Sequence, residues 1–278
     1  MKRKLIIFII MTLIILIFKN YQLVLSSTID GVNIWFYKVF PYLFIMIIIQ
    51  DLLINLDFAN FFKRTSTYIF FMSIISGSPS NAYIISKLVK EEKITKEYGN
   101  TCLIFTFFTN PLFLYSILNI IFNSFYMTIK IMIIIYISNF IIYLYYKKDL
   151  PVTNMSGKPS NINLPSSIKS SINTNLMVLG SIVFYFIISS ILIETFNIGY
   201  PFDIFLRGIL EMTQGLNNVI QLNSNIKLIT TIIFITFGGL SIHTQVKCIL
   251  DEYGLDYKYF FKGRILQLVI AAILAVLT

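Results

Sequence analysis

The feature that most constrains this chain is a set of long stretches without a single Lys, Arg, Asp or Glu. They are Leu5 to Phe18, Thr65 to Ser86, Tyr98 to Ile129, Ile131 to Tyr146, Ser170 to Ile193, Leu228 to Val246 and Ile265 to Thr278. Several exceed the ~18 uncharged residues at which an apolar run becomes a candidate membrane span. A soluble domain would spread its apolar positions into amphipathic stripes and carry ~25% charged residues. Here the charged fraction is 13% and the hydrophobic fraction 56% over 278 residues. The chain therefore reads as an all-α polytopic membrane protein.

The 22 basic and 13 acidic residues give a formal charge of +9. In a soluble protein that surplus would suggest nucleic acid. Here Lys2-Arg3-Lys4, Lys63-Arg64, Lys87 with Lys90, Lys93 and Lys96, and Lys147-Lys148 with Lys158 and Lys169 all flank apolar runs. Basic residues take such places when they hold the ends of spans on the cytoplasmic side. The lipid bilayer is the expected partner, with the N-terminus cytoplasmic in the cell membrane, and nothing supports nucleic-acid binding.

MKRK followed by Leu5 to Phe18 has the shape of a signal peptide, but no small-residue cleavage site follows, so an uncleaved first span to about Leu25 is expected. Cys102 and Cys248 lie in separate apolar segments, without CxxC or a His pair, and read as core thiols. There is no P-loop, GxSxG or HExxH, and one histidine cannot supply a His-rich metal site. Neither catalysis, a metal nor a cofactor is expected.

The polar interval 147–171, KKDLPVTNMSGKPSNINLPSSIKSS, is too poor in apolar residues to fold alone and reads as an exposed linker. It separates an N-terminal membrane repeat, 1–146, from a C-terminal one, 172–278. In the first, interfacial aromatics at 31–36 precede an apolar helix from about Val39 to Leu56, with Asp51 and Asp57 expected at the interface. Thr65 to Ile75 then stays apolar for only ~17 Å at ~1.5 Å per residue, too short for a ~30 Å hydrocarbon core. It stops at Ser76-Gly77-Ser78-Pro79-Ser80-Asn81, and Ala82 to Val89 is equally short. With basic residues at both ends, 65–90 is expected to form a re-entrant hairpin. In the second repeat a span at 172–193 and a mixed helix at 205–220 precede 228–250, which is interrupted at Gly238-Gly239 and read as the matching hairpin, before a last span from Ile265.

Interrupted short helices at corresponding places in two halves point to a transporter-like site between inverted repeats. Lipid cannot satisfy the N–H and C=O groups that a break exposes, so the break faces protein, water or ligand. Ser78 suits the N-cap and Pro79 the first position of a new helix, whose free N–H groups can hold an anion or a polar solute. Gly77, Ser80 and Asn81 at the first break, and Gly239, Ser241, His243, Thr244 and Gln245 at the second, complete the candidate site. His243 reads either as a ligand or proton-relay group, or as a neutral packing residue. Glu211, beside Thr213 and Gln214, would need a partner such as Arg207 one turn earlier.

These residues also carry a resemblance. Phe71 to Ala82, Lys93-Ile94-Thr95-Lys96-Glu97 and Asn110-Pro111-Leu112-Phe113 resemble the first repeat of the YlbJ-type sporulation integral membrane proteins. Leu210 to Gly215 and Phe237 to Val246 are similar to that family's second repeat. The family falls in the nucleoside-recognition, or Gate, domain group, with spore maturation proteins A and B. It usually has Gly where Asn81 stands and Lys where Tyr83 stands. The resemblance implies a multi-pass cell-membrane protein with two inverted Gate-like repeats, linked to spore formation and to passage of a small polar solute, a nucleoside or small carboxylate. It adds Asn110, Glu211 and Thr213 to the expected site. The alternative is a non-transporting assembly factor, whose partners would be other membrane proteins or further copies of itself.

Overall fold

The computed structural model describes residues 2–56, 58–152 and 163–277, so that Asp57 and the middle of the expected linker, 153–162, lie outside it. The regular structure of the described residues is entirely helical. α1 (Lys2–Lys19) ends at Asn20, and α2 (Tyr21–Ile34) continues through a π turn, Trp35–Val39, into α3 (Phe40–Asn55). A first span to Leu25 and a separate helix from Val39 were expected. Instead, Pro41 has no N–H for the ladder and the Phe40 N–H reaches back to Trp35 O. The widened turn absorbs the proline without ending the helix.

α4 (Thr65–Ser76) and α5 (Ser80–Lys90) lie side by side across the Gly77-Ser78-Pro79 break. α6 (Lys96–Leu103) then gives way to non-helical chain at 104–110 before α7 (Pro111–Phe122) and α8 (Phe125–Tyr146). The second half comprises α9 (Leu164–Phe196), α10 (Phe202–Leu210), α11 (Met212–Asn218), α12 (Ser224–Phe237), α13 (Gly239–Tyr253) and α14 (Tyr257–Leu277). Among the described residues, five helical stretches are long and apolar enough to cross a membrane: Tyr21–Asn55, Phe125–Tyr146, Leu164–Phe196, Ile226–Tyr253 and Tyr257–Leu277.

Two features depart from the sequence reading. The charge-free run from Tyr98 to Ile129 is not continuous helix, because Asn110 caps a new helix that starts at Pro111. In the second half, α12 and α13 do not fold back on each other and form one kinked stretch, Ile226–Tyr253. The side-by-side pair there is α10 with α11, joined at Glu211 alone.

Contacts at the helix ends order the bundle. Thr67 Oγ1 meets Tyr143 Oη at 2.8 Å, Lys90 lies over the Tyr253 ring and Lys262 over the Tyr146 ring. These gather the start of α4 and the ends of α5, α8 and α13. Tyr200 Oη donates to Gln221 O at 3.4 Å and joins the entry to α10 with the exit from α11. The span Ile226–Tyr253 separates those two sets.

α9 packs on α3 through Leu43, Ile47, Val178, Ile182 and Phe186. Asp51, expected at the interface, is 6% exposed and paired with Lys87 Nζ at 3.1 Å, since the side-by-side packing of α3, α4 and α5 covers it. Cys102 is buried, whereas Cys248 is exposed.

Candidate functional site

The breaks converge. One cavity is lined by Ser78 and Pro79 from the first break, Thr109 and Asn110 from the non-helical segment, Glu211, Met212 and Thr213 from the α10–α11 joint, and Ile242 and Gln245 from α13. Tyr42, Phe113, Val178 and Ile182 supply much of the apolar wall. The lining is mostly apolar with a few placed polar groups, as small-molecule sites are.

Close backbone approaches hold the breaks there. At Gly77 (φ +72°) a Cβ would lie 2.6 Å from Asn110 N, so no side chain fits between the first break and the non-helical segment. At Gly239 (φ +69°) a Cβ would lie 2.8 Å from Met212 N, and the kink rests on the α10–α11 joint in the same way. The freed carbonyls find donors. Asn81 Nδ2 donates to Thr106 O, Asn139 Nδ2 to Phe107 O, and Ser78 N to Phe108 O at 2.7 Å. At the kink, His243 Nε2 donates to Phe237 O at 3.0 Å and Arg264 to Thr236 O at 3.4 Å. Buried backbone polar groups need such partners where lipid offers none.

The helix starts are satisfied from within. Asn110 Oδ1 accepts from Leu112 N and Phe113 N at 3.0 and 3.3 Å, and Glu211 Oε2 accepts from Gln214 N at 2.7 Å. At α5 the expectation changes. Pro79 takes the cap position, Ser78 makes no capping bond, and the N–H groups of Asn81 and Ala82 are engaged by Gly77 O and Asn81 Oδ1. That helix start is therefore not an open anion cradle. Free capacity lies in side chains instead, because Ser78 Oγ, Thr109 Oγ1 and Asn110 Nδ2 are buried without a protein partner.

Of the expected site residues, Ser78, Pro79, Asn110, Glu211, Thr213 and Gln245 line the cavity, and Gly77 and Gly239 brace it. The others stand behind it. Ser80 O accepts from Gln50 Nε2, Asn81 clamps the non-helical segment, and Ser241 Oγ accepts from Gln245 Nε2 at 3.1 Å. His243 is off the lining. Its Nε2 donates to a carbonyl, so Nδ1 accepts from Tyr257 Oη, and the ring fits the neutral packing role. Arg207 pairs with Asp203 at 3.9 Å and not with Glu211. Glu211 is in extended backbone (φ −140°, ψ 114°), which takes it out of the helical register that would have joined it to Arg207.

Sequence reasoning missed Thr109 and Arg264. Arg264 has no exposed surface; it lies within α14, bonds Gln267 and stacks 3.8 Å from the centroid of Phe107. A lone Arg three residues before Gln267, at the edge of an apolar run, was the available signal. Placing the last span from Ile265 left it outside.

These features define a multi-pass α-helical membrane protein in which interrupted helices from both halves line a mostly apolar cavity that carries a few polar groups. The chain is similar to the sporulation integral membrane protein YlbJ of Bacillus subtilis (strain 168), 24% identical over 310 aligned positions, which cover 89% of this chain and 75% of that protein. No protein-family model matches the chain, and no solved structure matches it.

Proposed function

We propose that this is a transporter-like protein of the YlbJ/Gate type, which binds a small polar solute in the cavity and passes it across the cell membrane during spore formation. The observation that carries the reading is the unpartnered trio Ser78 Oγ, Thr109 Oγ1 and Asn110 Nδ2, on residues that line a cavity assembled from both halves. Buried polar atoms without protein partners are uncommon, and a polar ligand supplies what they lack.

The helix order supports inverted repeats. On this reading α4–α5 and α10–α11 are re-entrant hairpins that enter from opposite ends of the bundle. The non-helical segment between α6 and α7 then corresponds to the kink between α12 and α13. The end carrying Lys63, Arg64, Lys90, Lys147 and Lys258 faces the cytoplasm, together with the N-terminus. The lining contains the Glu211 carboxyl group and no Lys, Arg or His to meet an anion, which favours a neutral, hydroxyl-bearing solute of the nucleoside class over a small carboxylate.

Thermal melting of the purified chain in detergent tests this, because a ligand specific to the folded state raises the melting temperature by mass action. Uridine is expected to raise it and succinate to leave it unchanged. If neither does, the solute reading is abandoned in favour of a membrane assembly factor.

A further inference from the structure

Glu211 is 2% exposed, lines the cavity and forms no ion pair among the described residues. Both of its oxygens lie 2.6 Å from Thr213 Oγ1, while Oε2 also accepts from Gln214 N. A threonine hydroxyl has one proton, so it cannot donate a full hydrogen bond to both oxygens. The arrangement closes when Thr213 donates to Oε2 and a proton on Oε1 donates back to Thr213 Oγ1. We propose that Glu211 is a neutral carboxylic acid in the empty cavity and is the group through which one proton joins the solute.

The surrounding groups leave that role to Glu211. On the flanking helices Arg207 is paired with Asp203 and Asn217 Oδ1 accepts from Lys38 Nζ, and on α13 His243 is held by Phe237 and Tyr257 while Lys247 pairs with Asp251. Glu252, Tyr253 and the exposed Cys248 belong to the far part of α13, and Lys227 to the first turn of α12. On α9, Lys169 and Glu194 stand near opposite ends and Tyr185 bonds Thr244; the Tyr115 side chain of α7 is exposed. None of these forms an ion pair or hydrogen bond with Glu211. An ionisable group inside a membrane bundle, beside a cavity and without a counter-charge, is placed for proton transfer. The proton occupies Oε1 both in the empty cavity and with the solute bound; at a pH high enough to ionise the empty-cavity acid, solute binding draws one proton from water and release returns it.

The coupling half of this proposal rests on the solute reading above, whereas the neutral acid does not, and two measurements separate them. Infrared titration of the purified full chain is expected to show a protonated carboxyl band at pH 7 that is absent in Glu211→Gln. If that variant does not fold, ¹³C-glutamate labelling of the unmodified protein assigns the band to glutamate, and among the described glutamates Glu211 alone is buried. A fully ionised Glu211 at pH 7 overturns the proposal. Uridine is the probe for coupling. Its Kd is expected to rise ~10-fold per pH unit once the acid ionises, as linkage to one proton requires, and to be independent of pH in Glu211→Gln. A pH-independent Kd in the unmodified chain overturns the coupling. A protonated band with no uridine binding at any pH supports the neutral acid and overturns the solute reading.

Discussion

The two halves meet the same problem, a helix interrupted inside the bundle, with different chemistry. In the first half the carbonyls at 106–108 are closed by neutral donors, the Asn81 and Asn139 amides and the Ser78 N–H. In the second, the carbonyls of Thr236 and Phe237 are closed by Arg264 and His243. The cavity faces differ in the opposite sense. The first half presents Ser78, Thr109 and Asn110 with unused capacity, whereas Glu211 and Thr213 of the second are bonded to each other. The contrast separates two tasks. On the proposed solute reading, one wall has polar capacity left for a solute, and the other keeps its single carboxyl group bound to its own chain.

Substitutions at the bracing glycines should break this arrangement most severely. Gly77→Ala combines a positive-φ position, worth ~1–3 kcal/mol of strain, with overpacking against the Asn110 backbone that costs a further ~1–3 kcal/mol. A large fall in melting temperature and loss of solute binding are expected. Gly239→Ala should fall less, since its Cβ would stand 2.8 Å from Met212 N against 2.6 Å at Gly77. Equal melting temperatures for the two variants would remove the difference between the halves.

Next come the groups that close carbonyls. Asn81→Ala and His243→Ala each leave a buried backbone oxygen without its donor, at a cost of about 1–3 kcal/mol. For His243→Ala, melting is expected to fall while uridine affinity, corrected for the folded fraction, holds, because His243 stands off the lining. A selective loss of affinity with unchanged melting would instead return His243 to the site.

What could be read from the chain, and what could not, follows from how far each cause reaches. The absence of charge is local, so the membrane class was visible, and Gly and Pro mark a break wherever they stand, which exposed 77–79 and 238–239. The break at 104–110 carries no such mark in Ile104-Phe105-Thr106-Phe107-Phe108. It is stabilised by Asn81 and Asn139, 25 and 32 residues away in sequence, and only the tertiary fold brings these together. Likewise, spacing suggested Arg207 for Glu211, but helical register ends where the Glu211 backbone becomes extended, and Asp203 keeps the arginine.

The smallest effects should come from the open wall, and they sharpen the comparison most. Ser78→Ala removes a buried hydroxyl oxygen that has no protein partner, so no internal hydrogen bond is lost and melting without solute should stay level or rise slightly. If the hydroxyl meets the solute, its loss weakens uridine by about 0.5–1.5 kcal/mol, the net value of one hydrogen bond. Thr109→Val tests the same wall with nearly the same shape. Thr213→Val, on the opposite wall, should lower melting first, because it removes the hydroxyl bonded to both oxygens of Glu211. Isothermal titration with uridine and a melting curve for each variant would show the division directly: affinity moves with little change in melting on the first wall, and melting moves on the second.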